Sequence, residues 1–165
     1  MIMKKFLVIL ALSFMALTAK AQVYVGGGIG FDGAAANGQS TAVFTINPEV
    51  GYNLDDNMAV GLGISLGFTD GVTVFSLDPY FRYYFLDWGP LRLFVDGNFN
   101  FTNTSVKNAE GAAHSTWGLG VLPGIAVPVN ERWSVVGHVG RLGYYDGTFS
   151  FNLNRVPGIG VYYEF

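Results

Sequence analysis

The chain has 165 residues and no cysteine; half of it is hydrophobic and only 13% is charged. Ordinary soluble domains carry about a quarter charged residues, and without thiols there is no disulfide framework, no lipidated cysteine and no thiolate metal centre. The formal charge of −3 excludes the basic surface that nucleic-acid binding needs.

The first predicted element is a leader. "MIMKK" is a positive n-region, "FLVILALSFMALTA" an apolar core and Ala19-Lys20-Ala21 a small-x-small cleavage site. Residues 1–21 therefore read as a secretory signal peptide, cut between Ala21 and Gln22, and residues 22–165 as one mature domain. The apolar core is too short for a spanning helix, which needs about 20 residues. Removal takes away Lys4, Lys5 and Lys20, leaving six basic residues against 12 acidic ones, with Lys107 the last lysine.

After Gln22 a period of two recurs, as in strands whose successive side chains point to opposite faces. Eight strands are predicted. The first is near Val23–Phe31. The second alternates Phe44, Ile46, Val50 and Tyr52 with Thr45, Asn47 and Glu49, and the third alternates Met58 to Phe68 with small residues. The fourth, Phe75–Phe85, keeps Phe, Leu and Tyr on odd positions and Asp78 and Arg82 on even ones. The fifth, Leu91–Phe101, does the same with Arg92, Asp96 and Asn98. The others lie near Thr116–Val129, Trp133–Tyr145 and Phe149–Phe165. The seventh switches face near Gly140, because Arg141 falls in phase with Val135 and Val139, and a bulge there restores the pattern. Pro48, Pro79, Pro123, Pro128 and Pro157 fall in or near strands and cannot donate to a ladder; bulges and strand ends are expected to absorb some of them.

Short turns are predicted at 54–57, 86–90 and 130–132, and longer links at 32–42, 69–74, 102–114 and, briefly, 146–148. Eight strands with alternately short and long connections predict an all-β, eight-stranded antiparallel up-and-down transmembrane β-barrel. Its polar face is rich in Gly, Ala and Ser, which suits a narrow interior, and its apolar face carries the bulk and faces lipid. Aromatics cluster at strand ends, with Tyr52, Tyr83, Phe85, Trp133, Tyr163 and Phe165 at the short-turn rim. Phe31, Phe68, Phe101, Trp117 and Tyr145 lie at the other rim. Two such girdles are expected at the two membrane interfaces.

"NPEVGYNLDDNMAVGLGI" (47–64), "DPYFRYYF" (78–85), "PGIAVPVNERW" (123–133) and the ending "IGVYYEF" (159–165) resemble the small outer-membrane β-barrel family of Gram-negative bacteria, often labelled porin-family or OmpA-like. The resemblance covers the whole mature chain and implies an integral outer-membrane protein with periplasmic N- and C-termini. Its expected partners are outer-membrane lipids, the barrel-assembly machinery during biogenesis and an extracellular ligand at the loops. Phe165, with Tyr163 and Val161 in phase, resembles the C-terminal signal that this machinery recognises.

The inner face carries the chemistry. Pairing across the 86–90 turn with Phe85 opposite Leu91 places Arg82 opposite Phe94, with Arg92 and Asp96 diagonal to it. Pairing across 55–57 puts Glu49 near Gly63. An interior polar network of Glu49, Asp78, Arg82, Arg92 and Asp96 is therefore expected. It reads as a polar plug in a barrel with a structural or surface-interaction role, and alternatively as the gate of a narrow channel for small solutes or ions. A lipid A-modifying hydrolase is a more distant alternative, its candidate residues being His114, Ser115, Ser134 and His138; no enzyme, cofactor or metal is expected. "GGGIG" (26–30) reads as glycines facing a tight interior, and Asp55, Asp56 and Asn57 as turn residues.

Overall fold

The computed structural model describes residues 22–36, 39–69, 72–106, 113–152 and 159–165. The expected signal peptide up to Ala21, and Pro157, lie outside the described residues. Ten strands form in chain order: β1 (Val23–Ala36), β2 (Gln39–Asn53), β3 (Met58–Thr69), β4 (Val72–Trp88), β5 (Leu91–Val106), β6 (Ala113–Pro128), β7 (Trp133–His138), β8 (Arg141–Tyr145), β9 (Thr148–Asn152) and β10 (Ile159–Glu164). Strands β7 and β8 are two halves of one stave, and β9 and β10 of another, so ten strands make eight staves. All ladders are antiparallel, and β1 pairing with β10 closes the barrel.

The expected switch in the seventh stave is a one-residue bulge. Gly124 pairs with His138 and Val121 with Leu142, so two residues of β6 face three of the seventh stave. Before the bulge Ser134, Val136 and His138 face inward; after it Arg141, Gly143 and Tyr145 do. Tyr145 is therefore not a girdle residue as the sequence suggested; its neighbour Tyr144, 46% exposed, takes that place. A second bulge was not expected. The β4–β5 register slips between Tyr84 and Leu86, so Arg82 stands directly opposite Asp96 rather than Phe94, and Trp88 pairs with Leu91 across a two-residue Gly89-Pro90 turn.

The longer links expected at 32–42, 69–74 and 102–114 shrink because the strands run on, β1 reaching Ala36, β4 starting at Val72 and β5 reaching Val106. The link at 146–148 is a two-residue turn, Tyr145 pairing with Thr148. Its central Asp146 and Gly147 both have positive φ, 48° and 77°, which is the hairpin turn that matches strand twist and favours Asp-Gly.

Each described strand proline sits where one ladder stops. Pro48 pairs with Gly27 on β1, while the β2–β3 ladder skips from Ile46 to Glu49. Pro79 pairs with Leu62, while the β4–β5 ladder skips from Leu77 to Tyr80. Pro123 pairs with Val95 and faces the bulge, where its carbonyl accepts the Val139 N–H at 2.9 Å. Pro128 is the last residue of β6. A residue without an N–H cannot serve both neighbours, so each proline keeps one partner strand and releases the other.

Candidate functional site

The site is the lumen, and a register device packs its rings, four of them in a waist. Inward-facing aromatics stand directly opposite inward-facing glycines on the next strand: Tyr162 opposite Gly26, Tyr24 opposite Gly51, Tyr80 opposite Gly61, Phe94 opposite Gly124 and Tyr145 opposite Gly118. The rings lie flat over those glycines, where a Cβ would collide at 2.1–2.4 Å. Five large rings thus fit inside a narrow barrel because five facing side chains are absent.

At the centre of the waist is Arg82, 1% exposed. Its Nε and Nη2 donate to the two Asp96 carboxylate oxygens at 2.7 and 2.8 Å. Nη2 also lies 3.7 Å from Glu49 Oε1. The guanidinium stacks over Phe94 at 4.1 Å, with Tyr80 and Tyr162 at 5.0 and 5.6 Å. Glu49 accepts the Tyr162 hydroxyl at 2.6 Å and that of Tyr80, whose hydroxyl lies 2.5 Å from that of Tyr24. His138 Nε2 lies 2.8 Å from Asp96 Oδ2. A buried charge is tolerated only when paired and fully hydrogen-bonded, and this cluster meets both conditions for Arg82, Glu49 and Asp96.

The lumen divides there. Above the waist is a cavity of about 440 Å³, lined among others by Asn47, Asp78, Asn98 and Arg141. Below it, on the side of the termini, is one of about 490 Å³ with Asp55, Asp56, Glu131 and Glu164 on its wall. Tyr162 and Val136 touch both.

The five charged residues expected to form one network separate into three places. Arg82, Glu49 and Asp96 meet in the waist. Asp78 stands above it, accepting Asn100 Nδ2 at 2.5 Å and Ser65 Oγ at 3.4 Å. Arg92 does not reach Glu49. The slipped β4–β5 register sets it opposite Asp87, to which it donates at 3.0 Å, and it also donates to the Asp56 carbonyl at 2.6 Å while stacking over Tyr84 at 4.1 Å. It therefore braces the lower mouth. Sequence reasoning missed Tyr24, Tyr80, Phe94, His138 and Tyr162 as waist residues; the signal was an inward aromatic with a glycine opposite it in register.

The candidate hydrolase residues are not assembled. His138 is engaged with Asp96, and His114 lies on the surface 3.9 Å from Asp146. Among the hydrogen-bonded serines, Ser65 bonds Asp78, Ser76 bonds Thr102 and Ser115 accepts from Asn103. Among the described residues no group of three His, Cys, Asp or Glu could hold a metal ion.

The outer wall is apolar, with Ile29, Leu62, Phe81, Phe99, Leu119 and Val161 exposed. At the lower rim Trp133 meets Tyr163 at 4.9 Å and Tyr163 meets Phe165 at 5.1 Å, and Trp88 is 70% exposed there.

Comparison with known proteins agrees with this architecture. The sequence profile of the outer membrane protein beta-barrel domain matches residues 6–165. Neisserial surface protein A (NspA) superposes with a TM-score of 0.65 at 18% identity, covering 87% of this chain and 97% of that one. The N-terminal β-barrel domain of Pseudomonas aeruginosa OprF superposes with a TM-score of 0.62 at 17% identity, covering 87% and 98%. No curated protein matches the sequence.

Proposed function

Since this chain belongs to the outer membrane protein β-barrel domain family and is an integral outer-membrane barrel, we propose that it has a structural or surface role, that its lumen is closed at the waist and that its termini face the periplasm. The observation that carries the closed lumen is Arg82, held by Asp96 and Glu49 and sandwiched by rings, 1% exposed in the middle of the bore. A pore would need a hydrated path past this residue. A second reading, a narrow channel, draws on the cavities above and below the waist, which only one layer of side chains divides.

The orientation rests on the turns. The short connections at 54–57, 89–90 and 130–132 lie at the same end as Gln22 and Phe165, where Asn53 N–H bonds the Gln22 carbonyl and Phe165 N–H the Val23 carbonyl. Barrels of this kind keep short turns in the periplasm and long loops outside. The links expected from the sequence at 32–42 and 102–114, whose tips lie outside the described residues, are then the surface for an extracellular ligand. Val161, Tyr163 and Phe165 point outward at the periplasmic rim, where the assembly machinery reads a terminal strand. The engaged His138 supports a non-enzymatic reading.

Planar-bilayer recording of the refolded mature protein tests closure, which predicts no discrete conductance. Stepwise currents that change size in Arg82→Ala would favour the channel instead. The chain has no cysteine, so a single introduced one reports orientation. Asp146→Cys is expected to react with an impermeant maleimide on whole cells, and Asn130→Cys only after lysis; the reverse result overturns the orientation.

A further inference from the structure

The cup above the waist holds polar atoms that nothing satisfies. Among the described residues, Asn47 Oδ1, Asn98 Oδ1, Arg141 Nε and the Tyr145 hydroxyl are buried with no hydrogen-bond partner. Asn47, Asn98 and Arg141 line the upper cavity. The Tyr145 hydroxyl and Asn98 Oδ1 crowd one point beside it, 1.8 and 3.1 Å from where a Cβ on Gly120 would stand. Asn98 is only 9% exposed. Native interiors leave few such atoms unpaired, and here three of the four belong to residues that line one cavity.

They fall into two chemical groups. Asp78 lines the same cavity and, among the described residues, has no ion pair within 4.0 Å. With the Asn47 and Asn98 amide oxygens it makes a surface that only accepts. Arg141 likewise forms no ion pair among the described residues; its guanidinium stacks on the Tyr145 ring at 3.5 Å, leaving Nε free to donate beside the Tyr145 hydroxyl. The cup thus presents an anionic, accepting pole and a cationic, donating pole, close together at Asn98 and Tyr145.

We propose that the upper cup binds a small zwitterion carrying an ammonium and a carboxylate. Asp78, with the Asn98 and Asn47 oxygens, takes the ammonium, and Arg141 with Tyr145 takes the carboxylate. A lone cation would leave the Arg141 and Tyr145 donors unmet, and a lone anion would leave the two amide oxygens unmet. A molecule with both charges offers a partner to each pole, Asp78 and Arg141 both lining the cavity. The cavity, about 440 Å³, falls in the range of roughly 300–1,000 Å³ typical of small-molecule sites. Binding here does not depend on whether the waist conducts, so bilayer recordings and ligand titrations can fail separately.

The test is calorimetric and NMR titration of the refolded mature protein in detergent with glycine, β-alanine and γ-aminobutyrate, which span a range of charge separations, against methylammonium and acetate. At least one amino acid is expected to bind about tenfold or more tightly than either single-charge probe, since two charge-assisted contacts replace one. Asp78→Asn should abolish that preference while sparing acetate, and Arg141→Gln should abolish it while sparing methylammonium. Heat-modifiable gel mobility confirms that each variant is folded, and either variant alone suffices. Absence of binding by all three amino acids, equal binding of a single-charge probe, or unchanged preference in the folded variants would overturn the proposal.

Discussion

The waist and the cup are built from the same materials, carboxylates, arginines, amides and tyrosines on inward positions, yet they treat them differently. In the waist Arg82, Glu49 and Asp96 are all engaged, with three tyrosine hydroxyls and His138 completing the cluster. In the cup Asp78 and Arg141 share a wall without pairing, and four buried atoms are left over. A satisfied polar cluster rigidifies, and an unsatisfied one costs stability that a ligand can recover. The contrast separates scaffold from site inside a single bore.

Four substitutions break or sharpen that contrast, each read as a change in unfolding free energy from urea titrations in lipid vesicles. The largest effect is expected at Arg82→Ala, which leaves Asp96 and Glu49 buried without their cation and should cost about 3–5 kcal/mol; a loss under about 1 kcal/mol would mean the waist is hydrated. Tyr162→Phe removes one of the donors to Glu49 and should cost about 1–3 kcal/mol, the penalty of an unmet buried group. Arg92→Ala, at the exposed mouth where its side chain is 32% and that of Asp87 65% exposed, should cost about 0.2–1 kcal/mol, as other exposed ion pairs do. Asn98→Leu should be close to neutral, within about 0.5 kcal/mol, because the acceptor it removes has no partner to lose. If Asn98→Leu proved as costly as Tyr162→Phe, the cup and the waist would be alike.

The sequence carried the architecture because side-chain alternation is a strict consequence of the pleat. It placed Glu49 near Gly63, and the two stand directly opposite; it also located the seventh-stave bulge from the phase of Arg141. It failed where a bulge left no mark in the pattern. Phe85, Leu86 and Trp88 are all apolar and all exposed, so the slip between Tyr84 and Leu86 was invisible, and Arg92 was drawn into a network it does not join. Tyr145 was misassigned to the lipid for a related reason: an aromatic near a rim suits either face, and only the glycine opposite it distinguishes them. The satisfied waist was legible only in part. Glu49, Arg82 and Asp96 announce themselves as charges among apolar residues, whereas Tyr162, Tyr24 and Tyr80 become waist residues only when register pairs them with Gly26, Gly51 and Gly61.

The prolines and bulges have a mechanical meaning. The ladders of β1 with β2, β3 with β4, β5 with β6 and β8 with β9 run without interruption, whereas those of β2 with β3, β4 with β5 and β6 with the seventh stave are each broken at Pro48, Pro79 or Pro123. Three of the four seams between these two-stave panels are thus thinned at a proline, whereas the fourth, between β1 and β10, runs unbroken from Tyr24 to Ile29. Such a wall yields along its three thinned seams before it bends within a panel, and the unbroken β1–β10 seam locks the closure.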